Sequence, residues 1–575
     1  MLSSSFSKDC QNQLKGLQVA VVGAGFAGLM AARTLCQYGV KVTVYEARSQ
    51  WGGRVLSNPS FSNGRITEEG AELIGSFHTK WLGLAREYGL EMISRMDPDL
   101  YERAGLQLKL RLDLEPTRDL SASDIKRIGQ DIDKVLEAIS RDAREIKNPS
   151  EPWKETNPKI REYDKWSVAR ALEAKYQVKR DGPLWKALLF KLVNDEVAPL
   201  DEMNFLGLLC KVRAGQSVEF SNDDPKGHAC LMRYWNELEI FRCADGSQTL
   251  ATKIAEDIVK NYGATIRMRR AVTGIDIRAQ KCVQKRPGVD PNKPCVVLES
   301  RQVIKPDGTL HRTADSIPYH YVILAIPPSV WKERVDKGVK KGVKITVDGK
   351  PAHPADEIGL LGMDPAVKFF VNLTERFWIK ENPPAAPYGG SLELGQVWEG
   401  TDNQTRIPPK PGDPAAKNQG IVLSVFAGPI IPLDPRNPRG PGRPPTQEEC
   451  EKRLLNLYPD YKRFLNGNPK DAIKYANWPG EPFIETGYAS PKLGEILTIV
   501  EKLGKPFHEL LYFAGEHTRI DLFGYMEGAL RSGEDAAMKI VRRSCGLKDE
   551  AIRFTACPTE VSVAKVTPVR AKIVT

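Results

Sequence analysis

Near its start the chain reads QVAVVGAGFAGLMAARTL, from Gln18. An apolar run, Gln18–Val22, passes straight into Gly23-x-Gly25-x-x-Gly28, then into a segment of helical period that ends at Gly39. Gly23 permits a tight turn, Gly25 lets backbone approach a pyrophosphate, and Gly28 lets helix pack closely on strand. A second apolar run, Lys41–Tyr45, follows, and Glu46 closes it where a carboxylate can accept from ribose hydroxyls. The order strand, glycine turn, helix, strand predicts a βαβ unit with parallel strands. The N–H groups at the helix start then face a dinucleotide.

At 64.1 kDa the chain exceeds one compact core, so two or three interleaved domains are expected. The net charge of +10 is modest for this length, and Lys and Arg are scattered among acids. That pattern gives no nucleic-acid footprint. Its densest basic run, WKERVDKGVKKGVK from Trp331, reads as a solvated surface loop. The ten cysteines show no C-x-x-C and the seven histidines no i,i+4 pair, so no metal site is readable. Unpatterned cysteines suit a reducing compartment, and no apolar run approaches membrane-helix length, so a soluble, cytoplasmic protein without a membrane partner is expected. Oligomeric state leaves no mark in the sequence, and a homodimer stays open.

Coarse periodicity divides the chain into 1–16 (an extension), 17–95, 96–235 (helical), 236–335, 336–475 (strand-rich, with Pro-rich loops), 476–545 and 546–575 (a tail). In the helical stretch, SDIKRIGQDIDKVLEAISRDAREI places Ile125, Ile128, Ile132, Val135, Leu136 and Ile139 on one face behind a Ser or Asp cap. KPDGTL, from Lys305, is a hairpin signal. Close to the end, LYFAGEHTRIDLFGYMEGALRSG repeats the logic of the first turn: strand, Gly515-Glu516-His517, then a glycine run entering a helix near Tyr525.

These motifs together resemble the FAD-dependent amine oxidase family, of monoamine and L-amino-acid oxidase type. EARSQWGGR, with Glu46, Arg48, Gly52, Gly53 and Arg54, is similar to its flavin-binding signature. EEGAELIG, ADGSQTLATKIA, YVILAIPPSV and the C-terminal stretch are similar to its later motifs, in the same order. The resemblance implies an α/β fold: a Rossmann-like FAD-binding domain interleaved with a mixed β-sheet substrate domain and a helical subdomain. It implies that Gly23, Gly25, Gly28, Glu46, Arg48, Gly53 and Arg54 hold the diphosphate half of one FAD. Gly515, Glu516, Tyr525 and Met526 would hold the ribityl chain and ring. The last helix would aim its N-terminus at the ring, where negative charge arrives. Some family members attach flavin through a Cys before a cage tyrosine; Gly487 stands there, so the FAD is expected to be noncovalent.

By the same resemblance Tyr488 and Tyr525 form an aromatic cage for a neutral amine, and Lys368 holds a water at the flavin. The implied reaction is oxidative deamination of a primary amine or L-amino acid, with O2 as acceptor and H2O2 as product. Glu72 and Leu73 stand where amino-acid oxidases of the family place a carboxylate-binding Arg. Arg242 or Arg519 remain as substitutes, or Glu72 faces a cationic amine; Trp478 is a further candidate for the pocket wall. Two other readings stay open: a desaturase acting on a C–C bond, and a non-catalytic binding protein with a bound flavin.

Overall fold

The computed structural model describes residues 7–547 apart from 63, 96–106, 112–120, 217–227, 283, 285, 337–338, 381–384, 405–419 and 429–442. The Pro-rich loops and the C-terminal tail from residue 548 therefore lie outside the described residues. Gln18–Val22 is buried along its whole length. It is the middle of a five-stranded sheet in the order Leu511–Phe513, Tyr321–Leu324, Gln18–Val22, Lys41–Tyr45, Thr265–Arg267. All four pairings are parallel. A parallel strand covered on both faces must be apolar without alternation, which is what QVAVV supplies. The helix after it, Phe26–Gln37, ends at Tyr38, and Gly39 follows with φ +83° as the left-handed residue past the cap.

A second sheet runs Leu310–Tyr319, Cys295–Val303, Arg270–Arg278, Lys344–Val347, Lys350–Pro351. The KPDGTL turn joins its first two strands, with Gly308 at φ +90°. The basic run from Trp331 corrects the sequence reading. It carries a short antiparallel hairpin, Arg334–Asp336 with Val339–Lys341, rather than a solvated loop. Trp331 is 1% exposed, stacked on Phe513. Counting charges overlooks an aromatic anchor of this kind.

The third sheet has six strands: Ile473–Asn477, Val367–Leu373, Ile421–Ala427, Gly395–Glu399, Ala385–Ser391 and Gln107–Arg111. Its last strand comes from the stretch read as helical. Val367–Leu373 is interior, bonded on both sides and buried throughout, so Lys368 is not on an exposed edge. Among the helices, Ala122–Ala143 is capped by the Ser121 hydroxyl, which accepts from Asp124 N at 3.1 Å. It turns Ile128, Val135, Leu136 and Ile139 inward. It packs near Phe205–Gly215, a helix that is nearly all buried.

The C-terminal helix, Met526–Ser544, crosses Phe26–Gln37 at very short range: a Cβ on Gly533 would lie 2.0 Å from the Ala27 carbonyl oxygen. The N-terminal extension forms its own helix, Lys8–Gly16, and a Cys10–Cys545 disulfide ties it to the end of that last helix. A second disulfide joins Cys282 to Cys295. Two bonded pairs run against the expectation of a reducing compartment, because such bonds persist where the surroundings oxidise. Among the described residues no helix is long and apolar enough to cross a membrane. Peptide mapping without reduction should recover a Cys10–Cys545 linked pair. Cys545→Ser should lower unfolding stability by about 2–5 kcal/mol in a denaturant titration; equal stability would mean that the bond does not form.

Candidate active site

One cavity runs from the first glycine turn to the last. Its walls include Gly23, Gly25, Glu46, Arg48, Gly53 and Arg54 at one end, and Gly515, Glu516, Gly524, Tyr525 and Met526 at the other. Lys368, Tyr488, Glu72 and Trp478 line it as well. Gly28 does not; a Cβ there would lie 1.9 Å from the Gly23 carbonyl, so it serves the close packing of helix on turn.

At the N-terminal end the two glycine motifs hold each other. Gly52 N donates to Ala24 O at 2.9 Å, and Gly25 pairs with Gly52 in an isolated parallel bridge. A Cβ on Gly25 would have nothing nearer than Gly53 Cα at 3.8 Å, so open space lies over the helix start. The Glu46 carboxylate accepts from Ala24 N and Arg48 N, both at 2.8 Å, and burial raises its pKa. Arg48 donates to Gly53 O at 2.9 Å. Arg54 turns one nitrogen to Glu516 Oε1 at 2.8 Å and to Gly487 O at 2.9 Å, which links the first turn to the last.

At the far end Glu516 also accepts from Gly524 N at 2.6 Å and Ala489 N at 3.1 Å. Burial raises its carboxyl, but Arg54 and its other partners outweigh that and bring it below the ordinary range. His517 beside it is 1% exposed, lines the cavity, and among the described residues has no hydrogen-bond partner at either ring nitrogen. Burial holds its pKa at about 4, so the ring is neutral. Buried imidazole nitrogens without partners, facing a cradle of glycine backbone, fit a polar cofactor lying along this cavity. Position 487 carries no thiol and has no room for one: a Cβ would lie 2.7 Å from both Ala366 and Asp364 O.

Between the ends, Tyr488 lies parallel to Phe426, centroids 6.4 Å apart, and donates to Asp195 O at 3.0 Å. Gly524, at φ +80°, lies against the Tyr488 ring, where a Cβ would approach within 2.9 Å. Tyr525 bonds Tyr234 hydroxyl to hydroxyl at 3.0 Å. Burial, then the nearby groups Glu196 and Asp195 for Tyr488 and Tyr234 and Glu196 for Tyr525, raise both phenols well above their usual pKa. Both stay protonated.

Lys368 is 4% exposed, and its ammonium meets three acceptors: Glu72 Oε2 at 2.7 Å, Glu68 O at 2.7 Å and Gly70 O at 3.2 Å. Glu72 in turn pairs with Arg242 Nε at 2.8 Å and accepts from the Trp398 indole at 3.1 Å. Its carboxyl falls below the usual range because Lys368 and Arg242 outweigh the opposing effect of burial. Two expectations change. Glu72 is neutralised by the protein's own cations, so it is not a free anion for a cationic amine. Lys368 has its three donors engaged, so a water held there must replace an acceptor, the Gly70 contact being the longest.

Neither candidate arginine lines the cavity. Arg242 is fixed by Glu72, Glu399 O and Asp402 O, and Arg519 by Asp521 and Asp535. Trp478 does line it, with its indole N–H on Glu69 O at 2.8 Å and Arg48 over its ring. Trp398, Phe426, His517 and Lys211 also line the cavity and were not singled out from the sequence. For Lys211 a signal existed: a cation directly after the apolar run FLGLLC.

A family model described as "flavin containing amine oxidoreductase" matches residues 26–541. The chain is 23% identical to the flavin-containing amine oxidase of Danio rerio, over 91% of this chain and 85% of that protein. It is also 23% identical to human flavin-containing amine oxidase B, over 91% and 86%. Among solved structures, putrescine oxidase bound to putrescine matches with TM-score 0.61 at 18% identity, covering 92% of this chain and 99% of that one. Cyclohexylamine oxidase from Brevibacterium oxydans IH-35A matches with TM-score 0.60 at 18% identity, with the same coverage.

Glu68, whose carbonyl receives Lys368, has a buried carboxyl that accepts from Ser247 N at 2.6 Å and Ser57 Oγ at 2.7 Å. Burial pushes its pKa up from 4.5 to about 7. Its contribution to stability is therefore full below pH 4.5 and lost as pH rises to about 7. Glu68→Gln should be more stable than the parent by about 1–3 kcal/mol above pH 7, and the gap should close by pH 4.5. Urea titrations across that range check it; a gap independent of pH would contradict the assignment.

Proposed function

Because the chain belongs to the family of flavin containing amine oxidoreductases, we propose that it is an FAD-dependent oxidase of small primary amines. The net reaction is R–CH2–NH2 + O2 + H2O → R–CHO + NH3 + H2O2. The observation that carries this reading is that Tyr488, Tyr525 and Lys368 line the same cavity as both glycine turns.

Bound FAD would supply the redox chemistry, as acceptor of a hydride equivalent from the amine carbon and donor of two electrons to oxygen. Gly23, Gly25, Glu46, Arg48, Gly53 and Arg54 would hold its diphosphate and ribose, and Gly515, Glu516, Tyr525 and Met526 would hold the ribityl chain and ring. Gly487 supports a noncovalent attachment. The first turn of Met526–Ser544 presents unpaired N–H groups to the ring end, where a developing anion is favoured. Tyr488 and Tyr525, kept as neutral phenols by burial, flank the amine and shed its water shell. An amine must be neutral to give up hydride, and the aromatic slot disfavours the ammonium form. Lys368 keeps a fixed positive charge beside the slot, with Glu72 holding its position.

A primary amine is favoured over an L-amino acid by the state of the arginines. Recognition of an α-carboxylate calls for a free guanidinium fork, and Arg242 and Arg519 are both engaged elsewhere.

Purified protein mixed anaerobically with mono-, di- and polyamines and with L-amino acids should bleach with primary amines, and with amino acids at rates lower by about a hundredfold or more. Bleaching by no amine would overturn the reading. Lys368→Met should slow reoxidation by oxygen by about ten- to a thousandfold while reduction changes far less; unchanged reoxidation would remove Lys368 from the oxygen step.

A further inference from the structure

Lys211 is fully buried, with no exposed surface, yet it faces the cavity. Its ammonium lies 4.5 Å from the Tyr525 ring centroid and 4.1 Å from that of Phe523. A cation over an aromatic face at this range is held by the ring's quadrupole. One hydrogen bond, 2.7 Å to Glu196 Oε2, anchors it from the end of Pro183–Glu196. Glu196 itself does not line the cavity, so Lys211 is the member of the pair that a ligand meets. The place that a cationic amine would take against Tyr525 is already filled by a cation belonging to the protein.

Resting on the amine-oxidase reading above, we propose that Lys211 is a specificity-determining residue: it makes the site accept amines as free bases and refuse permanent cations. A second positive charge entering the cage lies within a few ångströms of the first, in surroundings with little water to screen them. The same repulsion lowers the pKa of a bound amine, so its proton leaves to solvent on entry and the nitrogen arrives ready for oxidation. The other titratable groups around Lys211 and the cage rings are Glu196, Asp195, Tyr234, Tyr488, Tyr525, His78 and Glu239, of which Asp195 and Glu239 also line the cavity. Asp195 and Glu239 are matched by Lys191 and Arg95. His78 is held neutral, its pKa brought by burial to about 4. The tyrosines stay protonated. Lys211 is thus the charge set directly on the cage ring.

The test compares benzamide with benzamidinium, ligands of one shape that differ by a charge, neither with an oxidisable C–H beside nitrogen. Binding is read from the perturbation of the flavin spectrum, so it needs no turnover. The wild-type protein should bind benzamide about tenfold or more tightly than benzamidinium. Lys211→Met with Glu196→Gln, which removes both charges together, should abolish that preference, and Lys211→Arg should retain it. With any amine that bleaches the flavin, the acid limb of kcat should move to higher pH in the double variant. The limb of kcat/KM should stay at the pKa of the free amine. A wild type that prefers benzamidinium, or that binds neither ligand, would overturn the proposal even if the double variant fails to fold. So would a preference unchanged in a folded double variant. Failure of every amine to bleach the wild type would instead overturn the oxidase reading, and the ligand pair would still judge Lys211.

Discussion

The crossing of two helices governs where everything else lies. A Cβ on Gly533 would sit 2.0 Å from the Ala27 carbonyl oxygen, so Met526–Ser544 and Phe26–Gln37 meet backbone to backbone. Each helix begins at a glycine turn, and each turn leaves the carboxyl end of a strand in the same parallel sheet. Packed this closely, the two helix starts face one cavity. Arg54, bonded to Glu516 and Gly487, closes the gap between the turns, and the Cys10–Cys545 bond fixes the opposite ends. Residues 18–54 and 511–545 thus form one structural unit around one cavity.

Buried charge is the second organising feature. Lys368, Glu72 and Arg242 form an ion cluster with each member at most 5% exposed at its side chain. Lys211 and Glu196 form another. Such groups are costly to bury, and losing one partner leaves the other uncompensated. Their placement along a cavity suits chemistry more than stability. One cation, Lys368, stands at the six-stranded sheet and one, Lys211, over the Tyr525 ring, each tethered by a carboxylate.

Much of the frame was legible because it is local. The glycine spacing, Glu46, the end at Gly39 and the KPDGTL hairpin each depend on residues a few positions apart, and the physics of turns and caps acts at that range. Tyr488 and Tyr525 could be singled out only through resemblance to a family, since no periodicity marks them; Lys368 also stands out as a lone cation in the apolar run VKFFVNL, and the resemblance gave it a role. What stayed hidden is what tertiary packing creates. The partner of Lys368 stands 296 residues earlier, and the Cys10–Cys545 bond spans 535. Lys211 meets Glu196 across two helices, which sequence spacing does not encode. The run from Trp331 misled for the opposite reason: its many charges drew attention from the one aromatic that anchors it.

The central claim is that both ends of the chain hold one noncovalent flavin. The most direct measurement is the FAD released per chain on acid precipitation, from the wild type and from Gly25→Val and Met526→Trp, each checked for folding by circular dichroism. The account predicts about one FAD per wild-type chain, all of it in the supernatant, and a large loss in each variant. Full retention by either folded variant, or a wild type without releasable FAD, would contradict it.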